Sequence, residues 1–330
     1  MSKPAALLPD DAATITARSP AQWTDYLQLM KPRVMSLVVF TALTGFVASG
    51  GHQNLFIAIV SILCIAVGAG ASASLNMWFD ADIDAQMRRT RGRPVPSGKV
   101  QGADALALGV VLSGFSVMLM GMAANWLAAG LLAFTILFYA IVYTMWLKRS
   151  TAQNIVIGGL AGALPPAIGW AAATGSVTWN AALLVLIIFL WTPPHFWALS
   201  LYTAEDYAKV GVPMMPVVKG AASTRKQILV YSIILIPVCI APAFTGLGGP
   251  VYLGVSALGG LVFLLLAARV AMSRAGDMPN ERDTDGLYDV KTAAKSARNL
   301  FAFSILYLTL LFAALLVEHA SGLRPLDLLS

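Results

Sequence analysis

Apolar residues come in long blocks along this chain and seldom alternate with polar ones. Near-unbroken hydrophobic runs cover 34–50, 54–75, 103–124, 126–146, 155–173, 179–201, 228–248, 251–272 and 300–318. Most approach the ~20 residues a helix needs to cross a hydrocarbon core. The pattern therefore predicts an all-α, polytopic membrane protein of nine transmembrane helices. Residues 1–22 lack an apolar core and read as a disordered cytoplasmic tail; they resemble neither a signal peptide nor a transit peptide. One transmembrane domain is expected over 23–320, with a short periplasmic tail at 321–330. The segment from Trp23 to Arg33 has the look of an interfacial lead-in, with Trp23 and Tyr26 at headgroup depth and Pro32 entering the first span.

Polar positions between the runs set the orientation. With the N-terminus inside, 21 of the 22 Lys and Arg residues fall on the cytoplasmic face and only Arg324 falls outside. The +6 net charge is then mostly positive-inside bias, and nucleic acid need not be invoked. Composition agrees: 58% hydrophobic and 12% charged residues do not suit a soluble domain. Cys64 and Cys239 lie within apolar runs and read as packing residues. His52, His195 and His319 form no ligand pair, which argues against zinc and covalent haem.

Candidate chemistry gathers in two polar stretches. In NMWFDADIDAQMRRTRGRPVPSG, the residues Asn76, Asp80 and Asp84 recur every four positions, so on a helix they share one face while Asp82 points away. Two carboxylates on one face repel unless a cation bridges them, which makes them candidate magnesium ligands. Arg88, Arg89, Arg91 and Arg93 follow at once; Lys31, Arg33, Lys148 and Arg149 lie at the same expected mouth. They can clamp a phosphate ester or simply fix topology. The second stretch begins at His195, and on a continued helix His195, Tyr202 and Asp206 form a polar stripe with Asp206 facing Asp80 across one opening. His195 is an ionisable group within a span, hence a functional candidate, though it can equally bond a carbonyl freed by proline.

Three further features point to an internal cavity. Tyr139 and Tyr143 continue a four-residue stripe from Thr135, and aromatic stripes serve as core or as cavity wall. Pro165–Pro166 and Pro193–Pro194 are expected to break the fifth and sixth helices, a device tolerated where a helix lines a cavity.

The segments NMWFDADIDAQMRRTRGRPVPSG, NIVIGGLAGALPPAIGW, PHFWALSLYTAEDYAKVGVPMMPVVKG and NLFAFSILYLTLLF together resemble the haem branch of the UbiA-type prenyltransferases, from about Trp23 to Glu318. The resemblance implies a nine-helix bundle around a central cavity and a diphosphate site at its cytoplasmic mouth. It implies Mg2+ as cofactor, held by Asn76, Asp80, Asp84 and Asp206, with farnesyl diphosphate and haem B as substrates. Asp80, Asp84, Asp206 and His195 become the candidate catalytic residues, and Tyr139, Tyr143 and Tyr202 the residues that steady an allylic cation. Unlike quinone-branch relatives, the chain has Tyr202 and Thr203 where a further acid is expected before Asp206. A bacterial inner membrane is the expected location. A haem A synthase or an oxidase assembly factor stays open as protein partner, as do a quinone-type or chlorophyll-type acceptor and a transport or chaperone role for haem.

Overall fold

The computed structural model describes residues 21–51, 54–277 and 292–322. The tail before residue 21, His52, most of the 274–299 loop and the tail from residue 323 lie outside them. Helices carry nearly everything else: α1 (Trp23–Leu29), α2 (Pro32–Ala48), α3 (Leu55–Phe79), α4 (Ala81–Gln86), α5 (Gly102–Ala123) and α6 (Trp126–Leu137). A π-helical stretch, Phe138–Leu147, extends α6 into the single turn α7 (Lys148–Ser150). There follow α8 (Asn154–Ala163), α9 (Pro165–Thr174), α10 (Trp179–Leu201), α11 (Ala204–Lys209), α12 (Met215–Lys219), α13 (Ala221–Ile240), α14 (Pro250–Met272) and α15 (Lys295–Ala320).

Among the described residues, eight helical spans are long and apolar enough to cross a membrane. A ninth follows if α1 and α2, bent by 53° at their junction, count as one. The chain is thus a multi-pass membrane protein.

The helices close a ring in chain order. Each long helix packs on the next, from α2 on α3 through α10 on α13 to α14 on α15, and α15 returns to α2. Inside this ring α9 touches α2, α3, α6 and α10. Glycine permits that inner packing: a Cβ on Gly45 of α2 would lie 2.1 Å from the Pro166 carbonyl oxygen, and one on Gly169 of α9 equally close to that of Ala42. No side chain fits at either point, so α2 and α9 meet backbone to backbone.

The two proline pairs behave differently. Pro165 begins α9 after a one-residue break at Leu164, as expected. Pro193 and Pro194 do not break α10, which runs continuously from Trp179 to Leu201. Two missing amides cost the helix hydrogen bonds, but close packing against α8, α13 and α15 supports it across the gap. At the far end of the bundle Glu318 is buried, and its carboxylate accepts the amides of Gly249 (2.6 Å), Val251 (2.7 Å) and Tyr252 (3.0 Å). A carboxylate at the start of α14 satisfies orphan donors and suits the helix dipole, which explains a buried charge there.

Candidate functional site

Asn76 sits in the last turn of α3, and Asp80 is the single residue between α3 and α4. The i to i−4 ladder continues through that junction: the Asp80 amide donates to the Asn76 carbonyl at 2.9 Å, and the Asp84 amide to that of Asp80 at 2.8 Å. Helical register therefore survives, and Asn76, Asp80 and Asp84 stay on one buried face. The side chain of Asp82, on the opposite face, keeps 59% of its exposure.

Four cationic side chains meet this face. Lys31 donates to Asn76 Oδ1 at 2.8 Å, and Asn76 Nδ2 donates to Asp80 Oδ2 at 2.6 Å and to Thr144 Oγ1 at 3.2 Å. Lys148 forms a direct ion pair with Asp80 Oδ2. Arg93 pairs with Asp84 at 2.5 Å. Arg149 forks onto Asp82 at 2.8 and 2.7 Å, donates to the Phe79 carbonyl at 3.2 Å, and lies 4.8 Å over the Phe79 ring. Its hydrogen bond holds the Asp82 carboxyl below the ordinary carboxylate range. Repulsion between the aspartates is thus relieved by side-chain cations. Asp80 Oδ1 is buried and accepts no hydrogen bond; Arg149 Nη2 stands 3.5 Å away.

Lys31 also carries a backbone cost. Its φ of 51° is left-handed, the one such case among the described non-glycine residues. Strain of this kind amounts to about 1–3 kcal/mol and is sustained where surrounding contacts overdetermine it. Here the bend between α1 and α2 turns the ammonium onto Asn76.

Of the remaining basic candidates, Arg33, Arg88 and Arg91 are exposed, unlike Lys31 and Lys148, and Arg89 is half-buried.

The aromatic stripe takes a register that its four-residue spacing does not announce. From Phe138 the helix widens to a π-helix, which brings Tyr139 and Tyr143 to a ring separation of 5.4 Å and Thr144 onto Asn76. Tyr143 lies against Gly158 of α8, where a Cβ would come within 2.1 Å of the ring. π-Helical turns of this sort are frequent at functional sites.

The stripe from His195 to Asp206 is not continuous. α10 ends at Leu201, Tyr202 caps it, and Asp206 belongs to the separate α11. Val210, Val212 and Met214, with Tyr207 against them, pack on Ile83 of α4, so this segment does cover the Asp80 end of the bundle. Among the described residues, however, no three His, Cys, Asp or Glu side chains gather closely enough to hold one metal ion. The expected set of Asp80, Asp84 and Asp206 is therefore not assembled as a three-ligand site, and the break after Leu201 puts Asp206 on a different helix from His195. Tyr202 is fully buried, edge-on to Phe301 at 6.3 Å.

His195 occupies a second, neutral pocket. Its ring is stacked between Trp191 (4.2 Å) and Phe301 (4.6 Å), and Nδ1 lies 2.6 Å from Ser304 Oγ. Thr144 and Ser304 escaped the sequence reading because each looks like a small residue in an apolar run. Only for Ser304 was there a signal, its place in the NLFAFSILYLTLLF segment. A cleft of about 460 Å³ between the α7–α8 turn and α12–α13, lined by Gln153, Lys219 and Gln227 among others, includes no residue of either site.

A ring of membrane-spanning helices thus holds a buried acidic face collared by cations, with the Tyr139–Tyr143 pair packed beside it. The chain belongs to the UbiA prenyltransferase family, whose model matches residues 37–283. A relative from Caulobacter vibrioides called protoheme IX farnesyltransferase is 69% identical over 94% of this chain and 95% of its own length. One of the same name from Brucella anthropi is 58% identical over 94% of each. Among solved structures, a digeranylgeranylglyceryl phosphate synthase aligns with a TM-score of 0.72 at 16% identity, covering 90% of this chain and 98% of that one. A UbiA homologue from Archaeoglobus fulgidus bound to DMAPP and Mg2+ aligns at 0.60 and 17% identity, over 88% and 99%. These two share the fold.

Proposed function

We propose that this chain transfers the farnesyl group of farnesyl diphosphate to a vinyl group of haem B, giving the hydroxyethylfarnesyl group of haem O. The observation that carries the donor half is the buried Asn76–Asp80–Asp84 face with its collar of Lys31, Arg93, Lys148 and Arg149. Four cations against the three carboxylates Asp80, Asp82 and Asp84 leave room for an anionic ligand. The acceptor half rests on the relatives named above, whose identity to this chain reaches 69%.

The residues fit magnesium. Asp80 Oδ1 is a buried carboxylate oxygen without a hydrogen bond, and an ion of hard character takes such oxygens. Asp80 and Asp84 would hold it, with Asn76 orienting Asp80. When bound, the ion neutralises charge on the departing diphosphate.

The chain's own residues do the rest. Lys148, Arg149 and Arg93 exchange aspartate partners for phosphate oxygens and clamp the leaving group. Lys31, held ready by its strained backbone, completes the collar. Tyr139 and Tyr143 line the dry space where the allylic cation forms, their ring faces turned to positive charge. The Lys and Arg distribution supports placing this mouth on the cytoplasmic side of a bacterial inner membrane.

The test is direct. Purified protein with haem B, farnesyl diphosphate and magnesium is expected to yield a porphyrin heavier by one farnesyl group and one hydroxyl group. Farnesylation of an aromatic acid with haem B untouched would overturn the acceptor assignment.

A further inference from the structure

We propose that Ser304 is a positioning residue that fixes His195 as its Nδ1–H tautomer, leaving Nε2 as the base for the water that enters the product. This rests on the farnesyl transfer proposed above.

Proton counting sets the tautomer. The Ser304 hydroxyl owns one hydrogen. It lies 2.6 Å from the Phe301 carbonyl oxygen, which can only accept, so the hydrogen is used there. His195 Nδ1, 2.6 Å from the same Oγ, must then be the donor. A neutral imidazole with its hydrogen on Nδ1 carries its lone pair on Nε2.

The same residue also fixes what surrounds the ring. The Ser304 carbonyl accepts the Trp191 indole N–H at 2.8 Å. Trp191 and Phe301 are tilted only 17° and 21° from the imidazole plane, so the ring is clamped on both faces and cannot turn over to exchange its nitrogens. The groups that touch the His195 ring, Ser304, Trp191, Phe196 and Phe301, are all uncharged. The flanking π faces favour a cation once the ring takes up a proton. His195 lies roughly 9 Å deeper than the end of α10, at 1.5 Å per residue, on the membrane side of the charged mouth.

The chemistry balances. Attack by the vinyl carbon forms a carbon–carbon bond to the farnesyl group, and the allylic carbon–oxygen bond breaks with its electron pair leaving on diphosphate. The cation left beside the porphyrin forms a bond to water oxygen, and the water O–H breaks with its proton passing to Nε2. The imidazolium keeps its Nδ1–H on Ser304 and returns the proton to solvent.

The experiment uses the full chain in lipid, labelled with 15N-histidine, the His195 signals being identified by their loss in His195→Gln. Expected is protonated Nδ1 and bare Nε2 in the native protein and in Ser304→Thr, with that preference lost in Ser304→Ala. Turnover with haem B, farnesyl diphosphate and magnesium is then analysed by mass. Ser304→Ala and His195→Gln are expected to raise the ratio of dehydrated to hydrated farnesyl porphyrin at least tenfold, and Ser304→Thr to restore it. General loss of packing lowers both products together and leaves that ratio alone. Protonated Nε2 in the native protein overturns the proposal, as does an unchanged ratio in Ser304→Ala. A displaced Soret band in haem-loaded His195→Gln overturns the base role in favour of iron ligation. If the native protein makes no farnesyl porphyrin, the transfer reading and the base role fall together, and the nitrogen signals decide the tautomer on their own.

Discussion

Two polar regions interrupt this apolar bundle, and they are built on opposite terms. At the end of α3 the buried groups are charged, and their partners arrive from distant segments: Lys31 lies 45 positions from Asn76, and Lys148 lies 68 from Asp80. Around His195 the polar groups are neutral, and one serine supplies both the hydroxyl that holds the imidazole and the carbonyl that holds Trp191. A network of ion pairs can accept a charged ligand by trading partners, so that no charge is left bare at any stage. A neutral, stacked pocket has nothing to trade and keeps one geometry. The first arrangement suits a diphosphate that comes and goes, and the second suits a group that must point one way.

The comparison breaks most sharply at Asp80. Asp80→Ala removes the partner of Lys148 and Asn76 and the bare oxygen offered to a divalent ion. Turnover is expected to fall by about 10²–10³-fold, the range for deleting a group aimed at developing charge. Thermal unfolding of the same sample checks that the protein is folded. A variant with native turnover would return the mouth to a purely structural role.

Arg93→Lys asks how specific the collar is. Arg93 meets Asp84 through one guanidinium nitrogen, which leaves the others for phosphate. The lysine keeps the charge and loses the fork. KM for farnesyl diphosphate is expected to rise about tenfold, equivalent to ~1.4 kcal/mol, with kcat changed less. Arg91→Lys, on an exposed residue, serves as the control and is expected to be silent. Equal effects at both positions would mean that the collar acts only through its overall field.

How much of each region could be seen in advance follows from the range of its interactions. Asn76, Asp80 and Asp84 were legible because a four-residue spacing is local and the ladder holds through the α3–α4 junction. The pairing of Lys148 with Asp80 depends on how the ring of helices closes, which no local pattern encodes. The nine apolar runs gave the bundle for the same reason, since each run is its own signal. Register was lost where packing overrode it: α6 widened into a π-helix over Gly158, α10 continued through two prolines, and the turn after Leu201 detached Asp206 from His195.

Gly158 tests the link between the wall and the mouth. In Gly158→Ala the new methyl carbon would lie 2.1 Å from the Tyr143 ring, so the ring must move. Overpacking of this kind costs about 1–3 kcal/mol. A several-fold loss of turnover with an unchanged KM for farnesyl diphosphate is expected from the proposed place of Tyr143 in the wall around the allylic cation, because the ion pairs of the collar do not include it. A rise in KM alone would place Tyr143 in diphosphate binding instead.

Asp82 is the smallest and most discriminating case, since it carries the same charge two residues from Asp80 and Asp84 but faces outward. Its pairing with Arg149 is largely exposed, and pairs of that kind are worth little. Asp82→Ala is expected to lower turnover less than about fivefold, in line with the 0.2–1 kcal/mol of an exposed ion pair. The pH dependence follows from the sign of the shift. Arg149 holds the Asp82 carboxyl below its ordinary value, so whatever the pair contributes is present above the unfolded carboxylate range, near 3.9, and is lost as pH falls through the lower folded value. The ratio of native to Asp82→Ala turnover should therefore stay flat between about pH 6 and 8, well above both values. A ratio that varies across that window, or a loss as deep as that of Asp80→Ala, would mean that Arg149 needs Asp82 to reach the ligand, and the one-face division between working and bystander carboxylates would fail.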